Sequence, residues 1–234
     1  MNLVKEYWNE SDRTEFIKFL ESFKREEKVL WTKNILNTNM DVLAIKSPDI
    51  DRIVKEIKKG NYLSFLDLDI DDYYESVAIN GKIIASIKEF SIMKGYLDKY
   101  SKKAENWGVC DLLKFNIKKN EENFFNLAKE YSESKLTFVR RIGILILFNF
   151  ISNDKYIDKI YSILNEFYYE KEYYVNMVNA WIICELFIKR RDKTIKFLEN
   201  NKLNDFTINK AISKCRDSFR VSREDKEFLL QFKR

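Results

Sequence analysis

The chain has no histidine, one proline, five glycines and three cysteines in 234 residues. Without histidine there is no imidazole general base, no Ser–His–Asp triad and no route to most zinc or iron sites. So little Gly and Pro leaves scant material for the tight turns of an all-β architecture, so helices are favoured. The cysteines, Cys110, Cys184 and Cys215, are odd in number, widely spaced and embedded in helical patterns. They read as buried thiols of a reducing cytosol, not as a disulfide framework or a zinc knuckle. No segment offers the ~20 apolar residues that span a bilayer. The most apolar run, Ile142 to Ile151, follows two arginines and reads as a buried core helix. The opening MNLVKEYWNESDRTEF is too charged for a secretory signal. No Gly-rich phosphate loop is present. Asp67, Asp69, Asp71 and Asp72 lack the Gly and terminal Glu of a calcium loop.

What is present is 45% hydrophobic and 34% charged residues, the balance of a soluble globular protein. The length suits a single domain over 1–234 with a substantial core. The net charge of +5 is uneven. Residues 1–100 carry 16 basic and 18 acidic groups, a net of −2, and residues 101–234 carry 26 and 19, a net of +7. A basic half points to a polyanion partner, and solvated lysines on helix surfaces account for it equally well.

Apolar residues recur at helical spacing almost throughout. A first helical pair is expected over roughly 2–38, with Ser11 as an N-cap before TEFIKFL. The only proline, Pro48, suits the first turn of a helix capped by Ser47 and stopped by Gly60. DLDIDDYYES at 67–76 reads as an acidic loop entering another helix. Polar breaks then fall near 118–122, 132–135, 152–154, 169–172 and 200–205. FVRRIGILILFNF (138–150) aligns with YVNMVNAWIICELF (174–187) at an offset of 36, taking Val139 onto Val175. INKAISKCRDSF (208–219) follows at an offset of 33, taking Val175 onto Ile208. This period predicts an all-α fold of stacked antiparallel helical hairpins, a HEAT- or armadillo-like solenoid. Its second helices line one concave face, from which Arg141, Trp181 and Lys210 project.

Four residues stand out chemically: Trp107 and Asp111 in NWGVCD, Arg141 in FVRRIGILI and Trp181 in NAWIICELF. One acid, one arginine and two indoles suit a cationic ligand next to an anionic backbone. Trp107 and Asp111, four apart, share one face of a helix. Each residue also has an ordinary reading. Asp111 pairs with Arg140, Arg141 or a helix end, and the tryptophans fill helix interfaces. Arg140 and Arg141 are cap chemistry, and since they point about 100° apart, one of them faces the groove. Lys189, Arg190 and Arg191 fall at a helix C-terminus, where cations complement the macrodipole. Lys210, Lys214, Arg216 and Arg220 are expected on one helix, either tracking phosphates or forming a solvated face.

In order and spacing these strings resemble the bacterial DNA alkylation repair family, the AlkD-like HEAT-repeat glycosylases. The resemblance runs from about Trp31 to the C-terminus. WTKNILNTNMDVLAIKSPDIDRIVKEI is similar to the family's N-terminal segment, and NWGVCD to its W-x-x-x-D site. FVRRIGILI resembles its arginine-bearing helix, NAWIICELF the helix of its second tryptophan, and LENNKLNDFTINKAISKCRDSFRVSREDKE its C-terminal segment. The resemblance implies Asp111 as catalytic carboxylate, Trp107 and Trp181 as aromatic walls, and Arg141 as a backbone contact near the lesion. Arg140, Lys210 and Lys214 are the further candidates for DNA backbone contact. The implied activity is a monofunctional glycosylase that releases cationic 3-methyladenine- or 7-methylguanine-type bases from duplex DNA. It needs no metal or cofactor and places no lysine for a Schiff base. The expected partner is alkylated double-stranded DNA, and the expected state is a monomer, off the membrane, in a bacterial cytoplasm and nucleoid-associated when DNA-bound. The chain departs from the pattern at Cys184, where some active members carry a second basic residue that Arg190 and Arg191, two turns further on, do not replace. The acidic stretch 67–75 is unusual for a DNA-facing surface. The family also holds non-catalytic subgroups, so the alternative is a HEAT-repeat protein binding distorted or branched DNA. A protein-binding solenoid is a third reading, which the +7 half disfavours.

Overall fold

The computed structural model describes all 234 residues and is all-α, with fourteen α-helices, three short 3₁₀ turns and no strand. By its contacts the chain forms two compact units, residues 1–116 and 117–234.

The first unit holds α1 (Glu10–Glu21), α2 (Glu26–Leu36), α3 (Ser47–Ile57), α4 (Tyr62–Asp67), α5 (Tyr74–Ala85), α6 (Phe90–Lys103) and α7 (Trp107–Asp111). Residues 1–9 are not helical, so the first helical pair begins later than its periodicity suggests. Asn9, not Ser11, caps α1: its Oδ1 accepts from the Ser11 N–H at 3.0 Å, while Asp12 Oδ2 accepts from the Asn9 N–H at 3.0 Å. This reciprocal capping box leaves Ser11 inside the first turn. Lys5 donates to Asp12 at 2.7 Å, and this bond, ahead of the one from Asn9, lowers the Asp12 pKa. Just upstream, Trp8 is buried edge-on against Phe65 (4.9 Å) and Phe16 (6.0 Å). Pro48 does lie in the first turn of α3, but Ser47 is already helical there and Lys46 holds the cap position. Gly60 is no left-handed stop, since no glycine has positive φ. A Cβ there would lie 2.4 Å from the Lys5 carbonyl oxygen, so Gly60 serves close packing of the N-terminal segment.

At the centre is α5, with ten of its twelve residues buried, packed on α3, α6 and α7. Each buried Ile or Val stabilises by about 1.5–3 kcal/mol. The acidic stretch before it is tied within the unit. Asp69 and Asp71 bond Lys103, Asp72 accepts from Arg13 at 2.9 Å, and Asp67 accepts from the Tyr96 hydroxyl at 2.6 Å. The last acid, Glu75, is only 2% exposed and accepts the N–H groups of Leu43 (2.9 Å) and Ile45 (3.2 Å). Between these donors Ala44 adopts a left-handed backbone, φ 58°. Burial raises the Glu75 pKa, opposed by those backbone bonds.

In the second unit lie α8 (Glu121–Ser132), α9 (Thr137–Leu147), α10 (Asp154–Asn165), α11 (Tyr173–Lys189), α12 (Arg191–Asn200), α13 (Asp205–Asp217) and α14 (Arg223–Phe228). The predicted register holds: α9, α11 and α13 pack side by side in that order, and Val139, Val175 and Ile208 are all buried near their starts. Alongside them, α8 packs on α9 and α12 on α11. Their N-terminal ends are joined by polar bonds. The Glu170 carboxylate accepts two bonds from Arg140 (2.8 and 3.1 Å) and the N–H groups of Lys171 and Glu172 (3.0 and 2.9 Å). Asn204 then donates to the Asn176 side-chain oxygen at 3.0 Å, as does Thr207 at 2.7 Å. Arg220 lies beyond the end of α13 and pairs with Glu185, so it does not share a helix with Lys210 and Lys214.

Candidate functional site

The carboxylate that the sequence singles out sits at the last position of a five-residue helix, with Trp107 at its first. Helices this short do not persist on their own, so α7 is held by its surroundings. Asn106, with no exposure, caps it: its Oδ1 accepts from the Val109 N–H at 3.1 Å, and its Nδ2 reaches Thr38 Oγ1 at 3.3 Å and Met40 Sδ at 3.5 Å. Tyr100 on α6 donates to the Val109 carbonyl at 2.8 Å. Gly108 allows a close approach, since a Cβ there would meet Leu36 Cδ2 at 2.5 Å and Tyr74 Oη at 3.0 Å. The Trp107 ring packs on the apolar cluster of Leu36, Val42 and Ala44, and its indole N–H donates to the Ile35 carbonyl at 3.2 Å. Both Trp107 and Asp111 are half-buried.

One neighbour of Asp111 was not anticipated from the sequence. Tyr74, at the first position of α5, packs on the same cluster as Trp107. Its phenol is pushed up to about 12, first by burial, then by the charges of Glu75 and Asp111. At neutral pH it is therefore an uncharged hydroxyl beside a carboxylate. The signal for it in the sequence is slight: a tyrosine in the first helical turn after an acidic run.

Arg141, Trp181, Lys210 and Lys214 lie on adjoining helices of the second unit, α9, α11 and α13. Trp181 is 37% exposed, edge-on to Phe148 at 4.7 Å. Lys210 is exposed, with its ammonium over the Phe206 ring at 5.8 Å, and Lys214 is half-buried on the same helix. The arginines depart from expectation, for neither projects freely. Arg141 is 6% exposed and donates to the Tyr174 carbonyl at 2.7 Å, joining α9 to α11. Arg140 is engaged by Glu170 and donates to the Ser134 carbonyl at 2.9 Å. It forms part of the wall of a cavity of about 880 Å³ that Tyr168, Tyr169 and Glu170 also line. Its guanidinium thus ties α9 to the chain on either side of it, at Ser134 and Glu170. Arg190 and Arg191 are likewise engaged, by the Ser152 carbonyl (2.6 Å) and Asp225 (2.8 Å).

A match to the family of DNA alkylation repair enzymes spans residues 16–215. The chain belongs to that DNA alkylation repair family. The match takes in the second half of α1 and all of α2, and so begins upstream of Trp31, where the resemblance starts. Comparison with curated proteins gives no match. As a member of a DNA repair enzyme family the protein has DNA as substrate or partner. No helix is long and apolar enough to cross a membrane. In this family member Cys184, one turn beyond Trp181, is buried, as is Cys215 on α13. The pairing of the two thiols lowers the Cys184 pKa and raises that of Cys215. The position thus presents a buried thiol and no cation.

Proposed function

We propose that this protein is a monofunctional DNA glycosylase that hydrolyses the N-glycosidic bond of cationic alkylated purines, of the 3-methyladenine and 7-methylguanine type, in duplex DNA. The observation that carries this reading is the setting of Asp111: a half-buried carboxylate on a short helix fixed by Asn106 and Tyr100, with Trp107 one turn before it, in a chain of the DNA alkylation repair family.

A purine alkylated at N3 or N7 already carries a positive charge and leaves without strong general-acid help. That suits a chain without histidine. As the bond breaks, C1′ gains oxocarbenium character. In this reading Asp111 stabilises that cation electrostatically and orients the attacking water. Trp107 meets the cationic nucleotide with its π face, an attraction of about 0.5–2 kcal/mol. The neutral Tyr74 hydroxyl adds no opposing charge beside the carboxylate. Within the second unit, Trp181 is a candidate aromatic contact in its own right, and Lys210 and Lys214 attract backbone phosphates. Arg141 is the candidate charge-assisted donor to a phosphate, in addition to its bond to Tyr174. The chain is proposed to work as one HEAT-like repeat domain and as a monomer.

The test is release of methylated bases from methylated duplex DNA by the wild type and by Asp111→Asn. Release by the wild type that collapses in the variant, with DNA binding retained, supports the reading. A folded, DNA-binding wild type that releases nothing overturns it. The second reading, a non-catalytic protein for distorted or branched DNA, is favoured by the near-complete burial of Arg141, together with Cys184, which by the resemblance stands where some active members carry a basic residue.

A further inference from the structure

The turn between α13 and α14 carries the most exposed large apolar side chain of the protein. Phe219 is 103% exposed, as open as it would be in an extended peptide, against 80% for the next, Tyr169. A singly exposed apolar residue is ordinary on a protein surface. Phe219 differs from that case in how it is held and in what surrounds it. The turn is pinned on both sides of the ring. The Ser218 N–H donates to the Cys215 carbonyl at 3.2 Å, and the Arg220 N–H donates to Ser218 Oγ at 3.2 Å. The Arg220 guanidinium then reaches α11, where it donates to both carboxylate oxygens of Glu185, one at 2.9 Å. Val221 is buried, and Ser222 caps α14 by accepting from the Asp225 N–H at 3.1 Å. The phenyl ring between these anchors buries nothing, and so forgoes the stabilisation that burial brings.

The surroundings are cationic. From 210 to 223 the chain carries Lys210, Lys214, Arg216, Arg220 and Arg223 against one acid, Asp217, a net of +4. Glu185 engages Arg220. Arg216, in the last turn of α13, and Arg223, at the first position of α14, are exposed and make no ion pair. The helix dipole favours a cation at the end of α13 but opposes one at the start of α14, so Arg223 is not there for its helix. Glu185 lies one turn after Trp181 on α11. Through Arg220 the turn therefore adjoins the surface of Trp181, Lys210 and Lys214 that is proposed above to meet DNA.

We propose that Phe219 is a wedge that enters duplex DNA between two adjacent base pairs, while Arg216 and Arg223 hold the flanking phosphates. An apolar side chain among cations is the combination that kinks a duplex. The ring replaces part of the base stacking that is lost, and the cations displace counterions from the phosphates. Anchoring on a lipid surface calls for a broader apolar face than one ring, and membership of a DNA repair family supplies the polyanion. The wedge acts on any duplex that the protein grips, so it does not depend on whether the chain releases bases.

The probe is an unmodified duplex carrying 2-aminopurine at internal positions, bound to the full chain. The expected result is a rise in 2-aminopurine fluorescence on binding, which reports an unstacked step. Phe219→Ala is expected to abolish the rise and to weaken binding about five- to thirtyfold, with the salt dependence unchanged. Phe219→Leu keeps an apolar wedge and is expected to retain the rise and to bind within about fivefold of the wild type. Arg216→Gln combined with Arg223→Gln is expected to lower the slope of log K against log salt by about 2 and to keep the rise at saturation. Because the ring buries nothing, the Tm of Phe219→Ala is expected to stay within about 2 °C of the wild type. The proposal is overturned by absence of duplex binding, by binding without a rise, by a rise that survives in Phe219→Ala, or by a larger fall in Tm, which would make Phe219 a structural residue. Binding to vesicles of phosphatidylserine that Phe219→Ala abolishes would assign the ring to a membrane and overturn the proposal as well. The duplex is unmodified, so none of these outcomes turns on glycosylase activity.

Discussion

If Asn106 is what fixes α7, replacing it should separate positioning from chemistry. Asn106→Ala removes the oxygen that accepts from Val109 N–H and the Nδ2 that reaches Thr38 and Met40, all in a site with no exposure. Loss of an N-cap costs about 1 kcal/mol. The two Nδ2 contacts are long, one of them to sulfur, and together contribute about 0.5–1 kcal/mol. The sum, about 2 kcal/mol, corresponds to a fall in Tm of roughly 4–8 °C for a chain of this size. The consequence for activity is larger than for stability. Asp111 is five residues from the cap, and a displacement of about 1 Å at a reacting group can cost about a hundredfold in rate. Asn106→Ser, which keeps a capping oxygen, should recover about half of the lost stability. The assay pairs thermal melts with single-turnover release of methylated bases. An unchanged Tm would refute the cap, and a lowered Tm with a wild-type release rate would refute its role in placing Asp111.

Other perturbations have equally definite expected outcomes. Tyr74 and Tyr161 are pushed up to about 12 and Tyr100 further, in each case chiefly by burial. A phenol that keeps its proton longer when folded stabilises the fold fully below its unfolded value of about 10, and that stability drains away as pH rises through about 12. Phenolate absorbance should show these three lagging behind the exposed tyrosines until the chain unfolds, and ionisation of all phenols near pH 10 in folded protein would contradict the burial. Asn179 on α11 is wholly buried, with no partner for either Oδ1 or Nδ2, a cost of about 1–3 kcal/mol. Asn179→Leu should raise Tm by roughly 2–12 °C, and a lowered Tm would mean that the amide is satisfied in solution. Replacing Lys210 and Lys214 together by Ala should reduce the slope of log K against log salt for duplex DNA by about 2, and an unchanged slope would remove them from the phosphate-binding surface.

The parts of the molecule that the sequence made legible are those governed by local periodicity. The offsets that align Val139, Val175 and Ile208 became the starts of three adjoining helices, because a 3.6-residue repeat of apolar side chains has only one way to bury itself. The acidic run at 67–76 was legible as a loop for the same reason, through its lack of such a repeat. What periodicity does not encode is the choice of partner. Arg140 finds Glu170 thirty residues later, Asp69 and Asp71 find Lys103, and Glu75 reaches back to Leu43 and Ile45. Each is a tertiary event between residues that look equally available in the sequence. The same holds on a small scale for caps: Asn9 and Ser11 both qualify by type, and the carboxylate of Asp12 decides for Asn9 by bonding its N–H. Arg141 was legible as important but not as buried, because a guanidinium in an apolar run reads as a groove-facing cation until a carbonyl such as that of Tyr174 is seen to meet it. Tyr74 was missed because its proximity to Asp111 is set by the packing of α5 on α7.

The candidate carboxylate therefore depends on a chain of restraint that starts far from it. α7 is too short to hold its own shape, and apart from its own cap, Asn106, the groups that fix it belong to other segments. Trp107 rests on Leu36, Val42 and Ala44 and donates to Ile35. The segment supplying Val42 and Ala44 takes a left-handed turn at Ala44, a conformation that costs a residue with a Cβ about 1–2 kcal/mol. What holds that turn is the buried Glu75, through the N–H groups on either side of Ala44. Glu75 in turn follows directly on Tyr74, the hydroxyl beside Asp111. The buried acid, the strained alanine, the tryptophan platform and the neutral phenol are thus one mechanical unit whose output is the position of a single carboxylate. This explains why an acid is tolerated in the core of the first unit at all: the N–H groups on either side of Ala44 need two acceptors there, and the two oxygens of one carboxyl supply them.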